Sequence, residues 1–163
     1  RGYDVTANIN PSLGTEILSG LNLFAGLHST EVHTSVEGDR YEGVAGVTFD
    51  LGPISVGYAK SGITTGLSET GNNVSYYKNT MYGVAFNVND NLSISYGFQD
   101  SEKGFVNPGD NETVMMDVNS LQVAYTVGGA SIRLADIDMS DGFYTTGTSK
   151  DRSATVLSIA LAF

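Results

Sequence analysis

The sequence predicts an all-β protein: an antiparallel up-and-down meander of the kind that closes into a transmembrane β-barrel. Three observations carry this reading. Apolar and small polar residues alternate with a period of two from Leu21 to Phe163. Tight turns are centred near positions 52, 90 and 128, a spacing of 38 each time. Long polar stretches lie between those turns, so one end of the sheet has short connections and the other has long ones.

Taken in order, "RGYDVTANINPSLGTEILSG" (1–20) is ambiguous, with room for a descending strand and a connection at the short-turn end. The strand region proper is 21–163. "LNLFAGLHS" (21–29) is a strand in which Phe24 interrupts the alternation. "YEGVAGVTFDL" places Ala45, Val47, Phe49 and Leu51 on one face, with Glu42, Val44, Gly46, Thr48 and Asp50 on the other. Gly52-Pro53 turns the chain into "ISVGYAK", where Ile54, Val56 and Tyr58 oppose Ser55, Gly57 and Ala59. "TMYGVAFNV" and "LSISYGF", joined through Asn89–Asn91, repeat the pattern. So do "LQVAYTV" and "ASIRLAD" around Gly128-Gly129, a tight hairpin signal. "RSATVLSIALAF" closes the chain with Leu157, Ile159, Leu161 and Phe163 on one face. This makes about eight strands. The long polar loops are read at 33–40, 61–73, 100–112 and 138–151.

Composition narrows the function classes. With 8 basic against 18 acidic residues the net charge is −10, the wrong sign for a nucleic-acid partner. The absence of Cys excludes disulfides and thiolate metal sites. No run approaches the ~18–20 apolar residues of a membrane helix, whereas a barrel strand needs only about 9–11 alternating residues.

A soluble β-sandwich also alternates, with one face wet. Three features favour a membrane barrel instead. The non-apolar face is small and nearly uncharged (Ser, Gly, Ala, Thr, Asn), where soluble surfaces favour Lys, Glu and Arg. Aromatics gather toward strand ends: Phe49, Phe86 and Phe163 near the short turns, and Tyr41, Tyr58, Tyr76, Tyr82 and Tyr96 toward the long loops. Most charges sit in the loops. Cross-strand aromatic pairs in a soluble sheet are the competing account of the second feature.

The stretches "SLQVAYTVGGASIRLADID" and "RSATVLSIALAF", with "YGVAFNVNDNLSISYGF", resemble the general bacterial porins of the alphaproteobacterial type, over residues 21–163. A terminal Phe on an alternating strand is similar to the C-terminal signature of outer-membrane barrels. The resemblance implies a sixteen-stranded barrel in the bacterial cell outer membrane, with periplasmic short turns and extracellular long loops, of which this chain supplies the C-terminal half. It also implies a homotrimer, lipid and lipopolysaccharide as surroundings, and small hydrophilic solutes as cargo. The porin constriction loop belongs to the other half. The strand phase fits a complete eight-stranded barrel equally well, acting as an adhesin or structural anchor. An eight-stranded interior is filled by side chains, however, while the Gly, Ala, Ser and Thr at inward positions would leave voids there. Small polar residues suit the wall of a wide aqueous channel.

Within that reading Arg133 and Arg152 face the lumen, with Glu42, Asp50 and Gln122 in the same phase. In porins, wall arginines opposing acids set up a transverse field; local pairing along the wall is the plainer account. An Arg on the lipid face would cost about 2–4 kcal/mol at the bilayer midplane. Asp136, Asp138 and Asp141 in "DIDMSDG" are candidate Ca²⁺ ligands in an extracellular loop. Gly147 stands where a calcium loop would carry its twelfth-position Glu, so a solvated acidic loop is the competing reading. No other cofactor is expected. His28 and His33 form no triad or metal pattern, so no enzymatic activity is expected. The sequon triplets "NLS", "NVS" and "NET" carry no weight. The expected function is passive diffusion of small hydrophilic solutes and ions through a water-filled channel.

Overall fold

The computed structural model describes residues 2–11, 19–31, 38–67, 73–107 and 113–161. They form nine strands: β1 (Gly2–Ile9), β2 (Leu21–Thr30), β3 (Arg40–Leu51), β4 (Ile54–Thr64), β5 (Val74–Asn87), β6 (Leu92–Phe105), β7 (Val114–Val127), β8 (Ala130–Ser140) and β9 (Arg152–Leu161). Each pairs antiparallel with its neighbours in chain order, in one nine-stranded sheet. The expected all-β up-and-down meander is therefore present.

The short-turn end matches the sequence. Gly52 and Gly128 take φ of 59° and 56°, a left-handed conformation that glycine adopts without a steric penalty. In the Val88–Asn91 connection Asn89 Oδ1 accepts from the backbone N–H groups of Asn91 and Leu92, each at 2.9 Å. That is the side-chain turn chemistry expected of Asn.

Three expectations change. The 1–20 segment does contain a strand, β1, paired with β2 from Gly2↔Thr30 to Ile9↔Leu23, so the count is nine rather than eight. Strands β3, β4, β6 and β8 run on into stretches read as loops, back to Arg40 and through Thr64, Phe105 and Ser140; β5 and β7 start at Val74 and Val114, well before the alternation read from Thr80 and Leu121. The ladder needs only backbone groups, so it continues where side-chain alternation has lapsed. Phe24 does not break β2: its ring lies on the small-residue face.

Cross-strand register fixes two continuous faces. One carries Leu23, Val47, Tyr58, Tyr82 and Phe98 in a single row; the other carries Thr48, Gly57, Gly83, Gly97 and Ser120. No described hydrophobic residue is buried, and the buried side chains are Ser29 and Ser101. A sheet normally buries its apolar face against a second layer. Here that face, including Leu27, Val84, Leu134 and Ile159, is open.

The apolar band on this face runs diagonally. On β1 and β2 it reaches Val5 and Leu27, a row that crosses β3 at Gly43 and becomes Lys78 and Glu102 on β5 and β6. On β8 and β9 it stops at Leu134 and Leu157, a row that crosses β3 at Leu51. The upper margin thus drops from Gly43 to Leu51, eight residues, over the eight steps from β1 to β9. One residue per strand, at about 3.4 Å rise and about 4.8 Å spacing, means that a level band crosses strands tilted by about 35°. Tyr58, Tyr82 and Phe98 lie at the margin, with the Tyr82 and Phe98 ring centroids 4.9 Å apart. Lys60, Thr80 and Asp100 follow immediately above. Phe163 lies outside the described residues.

Candidate pore-wall face

The small-residue face holds every side chain that the sequence singles out for the lumen. Asp50 and Gln122 fall in one row, Asp50–Ser55–Ala85–Ser95–Gln122–Ala135, spanning β3 to β8. Asp50 also receives the chain entering β2, donating its backbone N–H to the Gly20 carbonyl at 3.0 Å. Gln122 Nε2 donates to Ser120 Oγ at 3.3 Å. Arg133 lies one row nearer the short turns, between Ala124 and Ser158, two residues from the middle of β8. Small neighbours on both sides leave its guanidinium exposed.

Glu42 accepts an ion pair from Arg40 at 3.0 Å. It belongs to a second row nearer the long loops: Asp4–His28–Glu42–Ile63–Tyr77–Lys103. His28 Nδ1 bonds to Asp4 Oδ1, and its Nε2 lies 2.7 Å from Thr30 Oγ1. Arg152 is on the same face, but its Nη1 donates to the carbonyls of Ser149 (3.2 Å) and Asp151 (2.7 Å). That arginine braces the preceding loop.

Charge on this face is segregated among the described residues. Asp4, Glu42 and Asp50 stand on β1 and β3, with Arg40 paired to Glu42. Lys103, Arg133 and Arg152 stand on β6, β8 and β9. Strands β4, β5 and β7 carry no charge on this face. Curling the sheet with this face inward would set an acidic arc against a basic one.

The acidic calcium candidates do not gather. Asp136 and Asp138 lie within β8, not in a loop, on the face opposite Arg133. Asp136 Oδ1 accepts from Thr155 Oγ1 at 2.9 Å, and Asp141 Oδ1 accepts from the Gly147 N–H at 2.8 Å. Among the described residues no three His, Asp or Glu side chains form a metal-holding group. His33 lies outside the described residues.

Sequence reasoning missed a polar cluster at the long-loop end: Ser61, Asn79, Ser101 and Tyr144. Asn79 Nδ2 donates to Ser61 Oγ at 3.0 Å, Ser101 Oγ donates to Asn79 Oδ1 at 2.6 Å, and the Tyr144 hydroxyl lies 2.6 Å from Ser101 Oγ. Register brings Ser61, Asn79 and Ser101 together and the fold of the β8–β9 connection adds Tyr144, so no local pattern could have flagged them. Lys103 was missed for another reason: it sat in a stretch read as loop.

Compared with known proteins, the chain matches no family model, no curated protein and no solved structure, so the functional reading rests on the arrangement of these residues alone.

Proposed function

We propose that this chain is part of the wall of an outer-membrane porin, a water-filled β-barrel through which small hydrophilic solutes and ions diffuse without catalysis. The observation that carries the reading is the diagonal apolar band. Its slope corresponds to strands tilted by about 35°, at the edge of the ~35–45° of transmembrane barrels, so a bilayer normal to the barrel axis would meet it as a level belt. A water-exposed sheet has no reason to shift its apolar residues by one position per strand.

The opposite face supports an aqueous lumen over a packed interior. Its two rows nearer the short turns, Thr48–Gly57–Gly83–Gly97–Ser120 and Asp50–Ser55–Ala85–Ser95–Gln122, carry little volume, whereas the row above them holds Phe24, Met81, Gln99 and Val118. A small closed barrel needs large inward side chains to fill it. In addition, β1 and β9 run in the same direction, so joining them would require a parallel pair in an otherwise antiparallel sheet. The unblunted apolar edge of β9 suits pairing with further strands. In a trimer, Leu21, Leu23, Ala25 and Leu27 on β2 supply an apolar strip for the subunit contact.

The test is conductance of the full-length protein in planar bilayers. Open-channel steps arriving in groups of three support a trimeric porin. A folded, heat-modifiable barrel that stays electrically silent overturns the channel reading and favours the anchor.

A further inference from the structure

The hairpin joining β8 to β9 is folded over the small-residue face. Tyr144 belongs to that hairpin, yet its hydroxyl bonds to Ser101 on β6 and its ring lies 5.4 Å from that of Tyr77 on β5. At ~4.8 Å per strand, Tyr144 reaches about 10 Å inward from β8, across β7. Lys103 Nζ stands 5.8 Å from the centre of the same ring.

This seat is built. A hydroxyl carries one proton, and Ser101 gives its own to Asn79, so Tyr144 is the donor to Ser101. With Tyr144 seated on it, Ser101 is 2% exposed. The loop backbone is strained: Asp141, Phe143 and Tyr144 have φ of 50°, 61° and 56°, unfavourable for residues with a Cβ. Such strain persists only where surrounding contacts over-determine it. Those contacts are present. Asp151 Oδ1 accepts from the Asp141 N–H at 3.0 Å, Asp141 Oδ1 holds Gly147, and Arg152 ties down Ser149 and Asp151.

Resting on the channel reading, we infer that the 141–151 loop is a pore-narrowing element that holds Tyr144 in the passage beside Tyr77 and Lys103. It contributes to the size limit for hydrophilic solutes, from a different hairpin than the one expected to constrict such barrels.

The experiment compares the full-length protein with Tyr144→Ala, Tyr144→Phe and Ser101→Ala, each first checked for heat-modifiable mobility. Tyr144→Ala should raise single-channel conductance by roughly a quarter to a half, as expected when one aromatic side chain leaves a water-filled passage. Tyr144→Phe and Ser101→Ala, which remove the donor or its acceptor, should make the loop several-fold more sensitive to proteinase K. Conductance unchanged in a folded Tyr144→Ala protein overturns the narrowing role and leaves the porin reading standing. Unchanged protease sensitivity in both other variants overturns the seat. Silence from the unaltered protein overturns the channel itself, and the narrowing role with it.

Discussion

The ring of Phe24 covers Gly46, its register partner on the next strand: a Cβ built on Gly46 would collide with Phe24 Cζ and meet Ala59 Cβ at 2.8 Å. An aromatic that looks like a fault in the alternation of β2 is thus accommodated by a neighbour with no side chain. Gly46→Ala should destabilise the sheet by about 1–3 kcal/mol, the usual cost of overpacking. Urea unfolding in detergent micelles measures it. Adding Phe24→Ala should restore part of the loss, because the Ala59 contact persists.

Gln122 and Val123 are adjacent in sequence and face opposite ways. On the membrane reading, Val123→Arg puts a charge against lipid near the middle of the Leu121–Val127 band and should cost about 2–4 kcal/mol. Gln122→Arg adds a charge to the water-filled side and should cost well under half as much. Folding yield into lipid vesicles, followed by the heat-modifiable gel shift, compares the two. Equal losses would contradict the assignment of faces.

On the channel reading, segregated charge on the small-residue face should show as ion preference. Arg133→Glu removes a cation from the basic arc and adds an anion. The cation-to-anion permeability ratio should rise, by roughly a factor of two, because charged side chains lining a pore set its ion selectivity. The reversal potential in a salt gradient reports it, and the shift should shrink at high ionic strength, where screening shortens the reach of the field.

The apolar band is short. On the membrane reading, Leu121–Val127 on β7 covers about 20 Å of strand, or about 16 Å along the membrane normal at a 35° tilt, against about 25 Å for typical barrels. Mismatch costs fractions of a kcal/mol per Å. The protein should therefore fold faster and more completely into short-chain than long-chain phosphatidylcholine vesicles, followed by the gel shift over time.

Asn89 holds its turn through two hydrogen bonds to the backbone. Asn89→Ala exposes both donors to water, so the loss should be modest, about 0.5–1.5 kcal/mol in urea unfolding. Asn89→Gly should behave similarly, since the side-chain oxygen, not the backbone conformation, makes the contact.

Much of this molecule is local. Alternation with period two sorted Val47, Val56, Val84 and Leu134 from Thr48, Gly57, Ala85 and Arg133 without reference to partners, because side-chain direction in a strand depends only on the chain itself. Gly52-Pro53 and Gly128-Gly129 marked turns for the same reason: their backbone conformations are set within two residues.

What the sequence alone determined, then, is which residues share a face and where the short turns fall. Strand limits were less legible: Lys78, Lys103 and Asp117 belong to strands because backbone ladders extend past the apolar pattern. Only the tertiary structure decided the register, and with it the slope of the apolar band and the single row that carries Asp4 and Glu42 at one end and Lys103 at the other. It alone placed Tyr144 on Ser101, a contact between residues 43 apart that no window of sequence contains. The physical reason is that periodicity is a property of each strand, whereas register and loop placement are set by interactions between strands distant along the chain.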